Sequence, residues 1–331
     1  MTTIMSKKDK ELTARVSQLL KEKGTKALDM AKQAILEKEF ASEKVRKAAI
    51  YFSEYWRDLA RPTLISICCE SVGGKVCITT PIAASVTLIC GATDIHDDII
   101  DKSKKKMSRP TIFGKFGKDV ALLVGDALFF EGLLLLHKAC KNLQMEKSAK
   151  VYQVVSDMFF ELGNAEALEL QFRGRTDVTP EKYLSLLNMK AADVEACTRI
   201  GAIVGGGSER EIEALGKYGR MLGSIMILRD DLADTADYEE VSNRIKNESL
   251  PFPILLAMQN PEIKLEICNI ISKKKIRKSD VEKILKLIRS VGIEQRIMEL
   301  IKTMNSRACF HIRKIPDKQR LEMLAYAITF L

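Results

Sequence analysis

Two aspartate clusters, each spaced DDxxD, constrain this chain of 331 residues more than any other feature. The first is Asp97, Asp98 and Asp101 in IHDDIID; the second is Asp230, Asp231 and Asp234 in ILRDDLAD. Each lies in an apolar stretch with helical periodicity. Side chains four apart on a helix lie over one another on one face, so Asp97 stacks with Asp101 and Asp230 with Asp234. Like charges about 6 Å apart repel by roughly 3 kcal/mol at an effective dielectric near 20. Building this twice in apolar helices calls for cations, and for a fold that turns both helices toward a common core. Hard oxygen ligands of this kind suit Mg2+, which usually shares its shell with substrate phosphates.

The rest of the chain predicts an all-α protein. Strand-type alternation is scarce and 3.6-residue apolar patterning nearly continuous, and Leu, Ile, Lys, Glu and Ala, all common here, favour helix. With 46% apolar residues a full core is available, and only eight prolines and no Gly/Ser-rich linker interrupt the chain. The expectation is one domain over 1–331: N-terminal helices in 1–58, a catalytic core in 59–260 and C-terminal helices in 261–331. The pattern predicts two or three helices within 6–58 broken at Lys23-Gly24, a helix opened by Arg61-Pro62 and closed at Gly73-Gly74, and helices over 81–101, Lys118 to about 140, 147–171 and 209–236. Thr179-Pro180-Glu181 opens another, and Pro251 and Pro253 open the next. Residues 102–117 read as a polar loop, 237–250 as polar, and 262–331 as two or three short helices.

The net charge of +9 gathers in short lysine runs, mostly solvated faces. Lys104–Lys106 differ because they follow the first aspartate cluster by three residues, where they could meet a polyanionic substrate. No nucleic-acid module is present, and the 6% of aromatics is too few to interleave with the basic runs. The eight cysteines form no CxxC pair and no Cys/His zinc spacing, which fits core thiols in a reducing cytoplasm. The N-terminus lacks the apolar segment of a signal peptide. No unbroken apolar run reaches about 18 residues, so no membrane span is expected; peripheral membrane contact stays open.

With both clusters on helices facing a common core, the chain resembles the trans-prenyltransferases, the class I polyprenyl diphosphate synthases of geranylgeranyl type. The resemblance covers roughly 40–260 and includes RPT at 61–63, SRPTIFGKFGKDVALLVGDAL at 108–128, GRTDVTPEKYLSLLNMK at 174–190 and LPFPILLA at 250–257. It implies an isoprenoid-synthase helical bundle around a deep central cavity, a homodimer, and a cluster of Mg2+ ions held by Asp97, Asp98, Asp101, Asp230, Asp231 and Asp234. The metals would bind an allylic prenyl diphosphate and stabilise its leaving diphosphate, and isopentenyl diphosphate would then attack the allylic cation.

For the allylic diphosphate the resemblance implies Lys106, Lys190 and Lys246, with Lys190 also in the catalytic set. Ala191 stands where a Thr follows that lysine in the family, Lys106 takes the place of the first Arg of an Arg-Arg pair, and Ile227 replaces a Gln. For isopentenyl diphosphate it implies Arg61, with Arg57 and Arg109 as possible substitutes. There Asp58 occupies a lysine position, Cys90 a His or Gln position, and Met107 the second Arg of the pair. Each charge-assisted phosphate contact contributes roughly 1.5–3 kcal/mol, so two lost contacts would weaken acceptor binding by on the order of 10²–10⁴. Lys104 and Lys105 lie in the same loop as Arg109 and could compensate.

Two other functions stay open. Asp231, Thr235 and Glu239 fit the D-x3-T-x3-E spacing of a terpene-synthase metal motif, which would ionise a prenyl diphosphate without isopentenyl diphosphate. A non-catalytic subunit of a heteromeric synthase is the other. Ala92 and Thr93, five and four residues before Asp97, occupy positions where bulky aromatics stop the growing chain at C15 in the family; small side chains here imply a product of about C20 or longer, unless Phe129 or Phe130 closes the pocket. His96 reads as a structural histidine, Trp56 as a packing anchor, and Glu166 and Glu169 as helix packing or support for the metal shell.

Overall fold

The computed structural model describes residues 7–106, 109–235, 238–273 and 275–330; Met107 lies outside them. In chain order the helices are α1 (Lys7–Leu36), α2 (Glu43–Tyr55), α3 (Ala60–Ser71), α4 (Thr79–Ile100), α5 (Ile112–Phe116), α6 (Lys118–Cys140), α7 (Met145–Phe172), α8 (Pro180–Lys190), α9 (Ala192–Gly205), α10 (Glu209–Asp234), α11 (Tyr238–Asn247), α12 (Phe252–Ala257), α13 (Pro261–Ile271), α14 (Lys278–Ser290), α15 (Ile293–His311) and α16 (Gln319–Phe330). The strands among the described residues are β1 (Lys105–Lys106) and β2 (Arg109–Pro110), antiparallel, with Lys105 opposite Pro110 and Lys106 opposite Arg109.

Side-chain caps set several helix starts. Ser208 and Glu211 bond reciprocally at the start of α10, a capping box. Thr179 accepts from the Lys182 amide while Pro180 takes the first position of α8. The layers then pack at sites where a side chain larger than hydrogen could not fit. A Cβ at Gly125 of α6 would lie 2.5 Å from His96 Nε2, and one at Gly91 of α4 would lie 2.6 Å from the Trp56 indole. These glycines let α4 lie close to α6 and let Trp56, 6% exposed, lock α2 onto α4. One buried cluster fills the space between α1–α4, α6, α9 and the first half of α10. A second runs from α8 and the last turns of α10 through α11–α15. The long α10 therefore belongs to both.

Three expectations need correction: the break at Gly24, the loop over 102–117 and the number of C-terminal helices. Gly24 does not break α1: a Cβ there would lie 2.7 Å from Leu59 O, so this glycine serves close approach to the start of α3 rather than a turn. Residues 102–117 contain the β1–β2 ribbon and α5, and 237–250 contain α11, whose buried Val241 and Ile245 are spaced one helical turn apart in polar text. The C-terminal part holds four helices, α13–α16. Helix α4 with the turn before it (Val76–Ile100) and α6 are long and apolar enough to cross a membrane by length and composition, a test that the core helix of a bundle also passes. Single polar residues interrupt both, so neither carries an unbroken apolar run of about 18 residues. Within the bundle 67% of the α4 window is buried but only 44% of the α6 window. The difference is an open apolar face: Leu123 and Phe130 on α6 and Phe160 on α7 are 54%, 64% and 70% exposed, and the rings of Phe129 and Phe159 meet at a tilt, 4.7 Å apart.

Candidate active site

Both aspartate clusters stand at helix C-termini: Asp101 is the C-cap of α4, and α10 ends at Asp234. The helix dipole adds negative potential there, so each cluster sits where its own backbone disfavours more carboxylates. Cations of the chain partly offset this. Lys106 Nζ lies 2.9 Å from Asp98 and 3.9 Å from Asp97. Arg173 donates to Asp101 at 2.9 Å and to the Ile100 carbonyl at 2.8 Å. Lys190, the last residue of α8, pairs with Glu166 at 3.0 Å and with Glu169, both on α7, and Ser249 donates to Glu169 at 2.6 Å.

Asp97, Asp101 and Glu166 each place a carboxylate oxygen within 4.8 Å of the others. Three hard oxygen donors so close, their like charges only partly offset by Lys106, Arg173 and Lys190, suit a divalent cation. The titration behaviour agrees. Burial pushes Asp98 up to about 6 against the pull of Lys106. Burial and then Asp97 and Glu248 hold Asp101 well above the ordinary carboxylate range, with Lys190 opposing. Burial and Asp97 also raise Glu166. Glu169 goes the other way: burial would raise it, but Lys190 and Ser249 hold it below its ordinary value.

The second cluster divides its labour. Asp231 is 1% exposed and its oxygens are taken by protein donors: Tyr183 OH at 2.8 Å, Arg244 Nη1 at 2.6 Å and the Phe252 amide at 3.0 Å. Arg244 also reaches Asp234 at 2.9 Å, the Tyr183 hydroxyl at 2.9 Å and Glu248 at 3.4 Å. Asp231 therefore anchors α8, α11 and α12 to α10 rather than opening toward a ligand. Asp230 is exposed; the protein crowding it, then Asp234 and Asp231, push it up to about 6. Glu248 joins the two halves: burial, and less strongly Glu169 and Asp97, push it up to about 7 against the pull of Arg244.

The remaining sequence-predicted residues are dispersed. Lys246 is exposed and lines an outer cleft with Lys102, Lys104 and Lys105; Arg244, two residues earlier, is the cation at the second cluster. Arg109 is exposed, its guanidinium 5.0 Å from the centre of the Tyr55 ring. Arg57 is exposed and bonds its neighbour's carbonyl, Trp56 O, at 3.0 Å. Arg61 meets neither of them; Asp58, Asp94 and Asp193 surround it, with Cys90 beside it. Ala92 is fully buried in α4, and the half-buried Thr93 donates to the Cys90 carbonyl at 2.8 Å. His96 turns to α6, 3.3 Å from Asp126. Of Asp231, Thr235 and Glu239, Asp231 is held by protein donors, Thr235 donates to the Leu232 carbonyl at 2.6 Å, and Glu239 lines the outer cleft.

This arrangement, metal-ready carboxylates at two helix ends with lysines and arginines interleaved, matches a known family. The polyprenyl synthetase model matches residues 43–288. The chain belongs to the polyprenyl synthetase family. It is a prenyltransferase of the prenyl diphosphate synthase kind. It is 31% identical over 277 residues to the short chain isoprenyl diphosphate synthase of Methanothermobacter thermautotrophicus, covering 80% of this chain and 79% of that protein. It is 30% identical over 209 residues to the geranylgeranyl diphosphate synthase of Methanosarcina mazei, 63% of this chain and 64% of the other. The crystal structure of geranylgeranyl pyrophosphate synthetase from Pyrococcus horikoshii Ot3 superposes with a TM-score of 0.85 at 28% identity, covering 98% of this chain and 100% of that one.

Within this polyprenyl synthetase, Arg173, Tyr183, Arg244 and Glu248 were missed from sequence. Arg173 stands in a turn with no periodic signal. The clue to Arg244 was available: a charged residue between the apolar Val241 and Ile245 of an amphipathic turn points inward and needs a buried partner.

Proposed function

We propose that this polyprenyl synthetase is a magnesium-dependent enzyme that ionises an allylic prenyl diphosphate and joins the allylic group to isopentenyl diphosphate, giving a product of about C20 or longer. The observation that carries this is the convergence of Asp97, Asp101 and Glu166 within 4.8 Å at a helix C-terminus, with carboxyls held above their usual range. Bound Mg2+, held by these residues and by Asp230 of the second cluster, would neutralise the leaving diphosphate and act as its Lewis acid. Lys106 and Lys190 rest on carboxylates of the same site; once those carboxylates take metal, both ammonium groups are available to phosphate oxygens. Asp231 and Arg244 hold α10 against α8 and α12 and so fix where Asp230 stands. The small side chains of Ala92 and Thr93, at positions where bulky aromatics would stop a growing chain, support the longer product. A second copy of this chain suits the open apolar face of α6 and α7, and eight free cysteines suit a reducing cytoplasm.

A second reading, ionisation without isopentenyl diphosphate, is favoured by one observation: Arg61, the resemblance's acceptor ligand, is enclosed by three aspartates. The deciding experiment incubates the protein with Mg2+, labelled isopentenyl diphosphate and allylic primers of C5 to C20, with product analysis by mass. Label in products of about C20 supports elongation. Metal-dependent diphosphate release with no label in any product would overturn elongation and leave the second reading.

A further inference from the structure

Arg61 is half-buried, and its guanidinium donates to carboxylates from three separate elements. Nε meets Asp193 at 2.9 Å, at the start of α9. Nη1 meets Asp58 at 2.8 Å, in the turn before α3. Nη1 and Nη2 meet Asp94 on α4 at 3.3 and 3.4 Å. A guanidinium has five N–H donors and a single charge; here most donors are engaged, and one positive charge against three negative ones leaves a formal sum of −2. Lys106, whose charge reaches Asp94, is shared with Asp97 and Asp98. Cys90 and Cys197 are buried thiols that burial keeps neutral, and Arg57 bonds Trp56 O. The cluster lies next to the metal-ready carboxylates, because Asp94 precedes Asp97 and Asp98 by one helical turn and Asp193 follows Lys190 by three residues.

We propose that Asp58, Asp94 and Asp193 are specificity-determining residues that clamp Arg61 and hold down the affinity for a diphosphate-bearing acceptor. The proposal rests on the reading that Arg61 faces the acceptor. A diphosphate reaching Arg61 must displace a carboxylate that already satisfies it, and must do so in a negative field. Asp94 is the carboxylate placed to yield, with its side chain 46% exposed. The other two are tied to backbone amides as well, Asp58 to that of Arg61 at 3.3 Å and Asp193 to that of Val194 at 2.7 Å. An enzyme built this way binds its allylic substrate through metal and its acceptor weakly, so the acceptor concentration sets the balance between elongation and simple loss of diphosphate.

The test is a set of asparagine variants, Asp58→Asn, Asp94→Asn, Asp193→Asn and the Asp58→Asn/Asp193→Asn double variant. KM is measured for isopentenyl diphosphate and for the allylic diphosphate, alongside the calorimetric Kd for isopentenyl diphosphate. One charge-assisted contact regained corresponds to roughly 10- to 100-fold in affinity. The double variant should therefore lower the acceptor KM and Kd at least about tenfold, with the allylic KM moving less than about threefold, and adding Arg61→Leu should abolish the gain. Should Asp58→Asn fail to fold, Asp94→Asn/Asp193→Asn carries the same test. An acceptor Kd equal to wild type, a fall in both KM values together, or a gain that survives Arg61→Leu overturns the clamp. Absence of metal-dependent diphosphate release from the allylic substrate in wild type and variants would instead overturn the ionisation reading. If wild type ionises but incorporates no acceptor and the double variant does, the clamp stands.

Discussion

Between pH 4 and pH 7 the metal-free protein should lose stability, and Asp98 is the residue on which the loss can be measured. Asp98 is 8% exposed, and its carboxyl rises from 3.8 to about 6, chiefly through burial. An acid held above its unfolded pKa binds more protons folded than unfolded, so stability falls as pH rises. The contribution is intact below the unfolded value, near pH 4, and is gone about a unit above pH 6. A carboxyl that titrates about two pH units higher in the folded chain than in the unfolded one changes stability by about 3 kcal/mol. With an unfolding entropy of roughly 0.7 kcal/mol/K for a chain of this length, that is about 4 °C in Tm. Asp98→Asn has no charge to bury, so in EDTA it should be more stable than wild type at pH 8 by about that amount and equal to it near pH 4. Loss of the Lys106 contact subtracts little, because Lys106 is largely exposed. Glu248, which titrates near 7, leaves the variant a residual slope of the same sign. Thermal unfolding at pH 4 to 8 in EDTA, and again with Mg2+ and inorganic diphosphate, reads the effect; the cations should flatten the wild-type curve by taking the place of the protons. A wild-type Tm in EDTA that is flat or rises over this range, or an Asp98→Asn slope equal to wild type, would refute the reasoning.

Asp97→Ala and Asp230→Ala should fold and lose metal-dependent diphosphate release, whereas Asp231→Ala should lower stability by about 2–4 kcal/mol, because it strips the buried Arg244 of its nearest carboxylate and leaves the Tyr183 hydroxyl and the Phe252 amide without their acceptor; full turnover in the first pair, or a wild-type Tm in the last, counts against the assigned roles. Thr93→Phe should shorten the product, read by mass spectrometry, and an unchanged product would separate Thr93 from chain length. Phe160→Glu should split a dimer into single chains in light scattering, with an unchanged mass placing any interface elsewhere.

The helices were legible because their signals are local. Capping residues at 179 and 208, proline at 180 and long apolar faces on α4, α6, α7 and α10 each act within a turn or two of the chain. What sequence misread depended on partners far away. Gly24 looks like a break until Leu59 lies against it. The turn carrying Arg244 looks solvated until Asp231, Asp234 and Glu248 surround it. The acceptor side shows the same limit more sharply. Asp58 at a lysine position was visible, but Asp94 and Asp193 carry no signal of their own, 33 and 132 residues from the arginine they neutralise.

The two DDxxD clusters repeat a spacing and yet differ in chemistry, and burial decides which aspartate does what. In the first cluster the middle residue, Asp98, is opposed by a lysine that solvent reaches, an exchangeable partner. In the second the middle residue, Asp231, is opposed by a buried arginine, a buried tyrosine hydroxyl and a backbone amide, none of which can leave without exposing another polar group to an apolar interior. A cation competing for Asp98 displaces a side chain into water at little cost. One competing for Asp231 would have to undo the junction of α8, α10, α11 and α12. The same motif thus ends α4 in carboxylates with exchangeable partners and sets a structural pin within the last turn of α10, and under the proposed function the positions of the second cluster that would face a substrate are Asp230 and, through its shared hold on Arg244, Asp234.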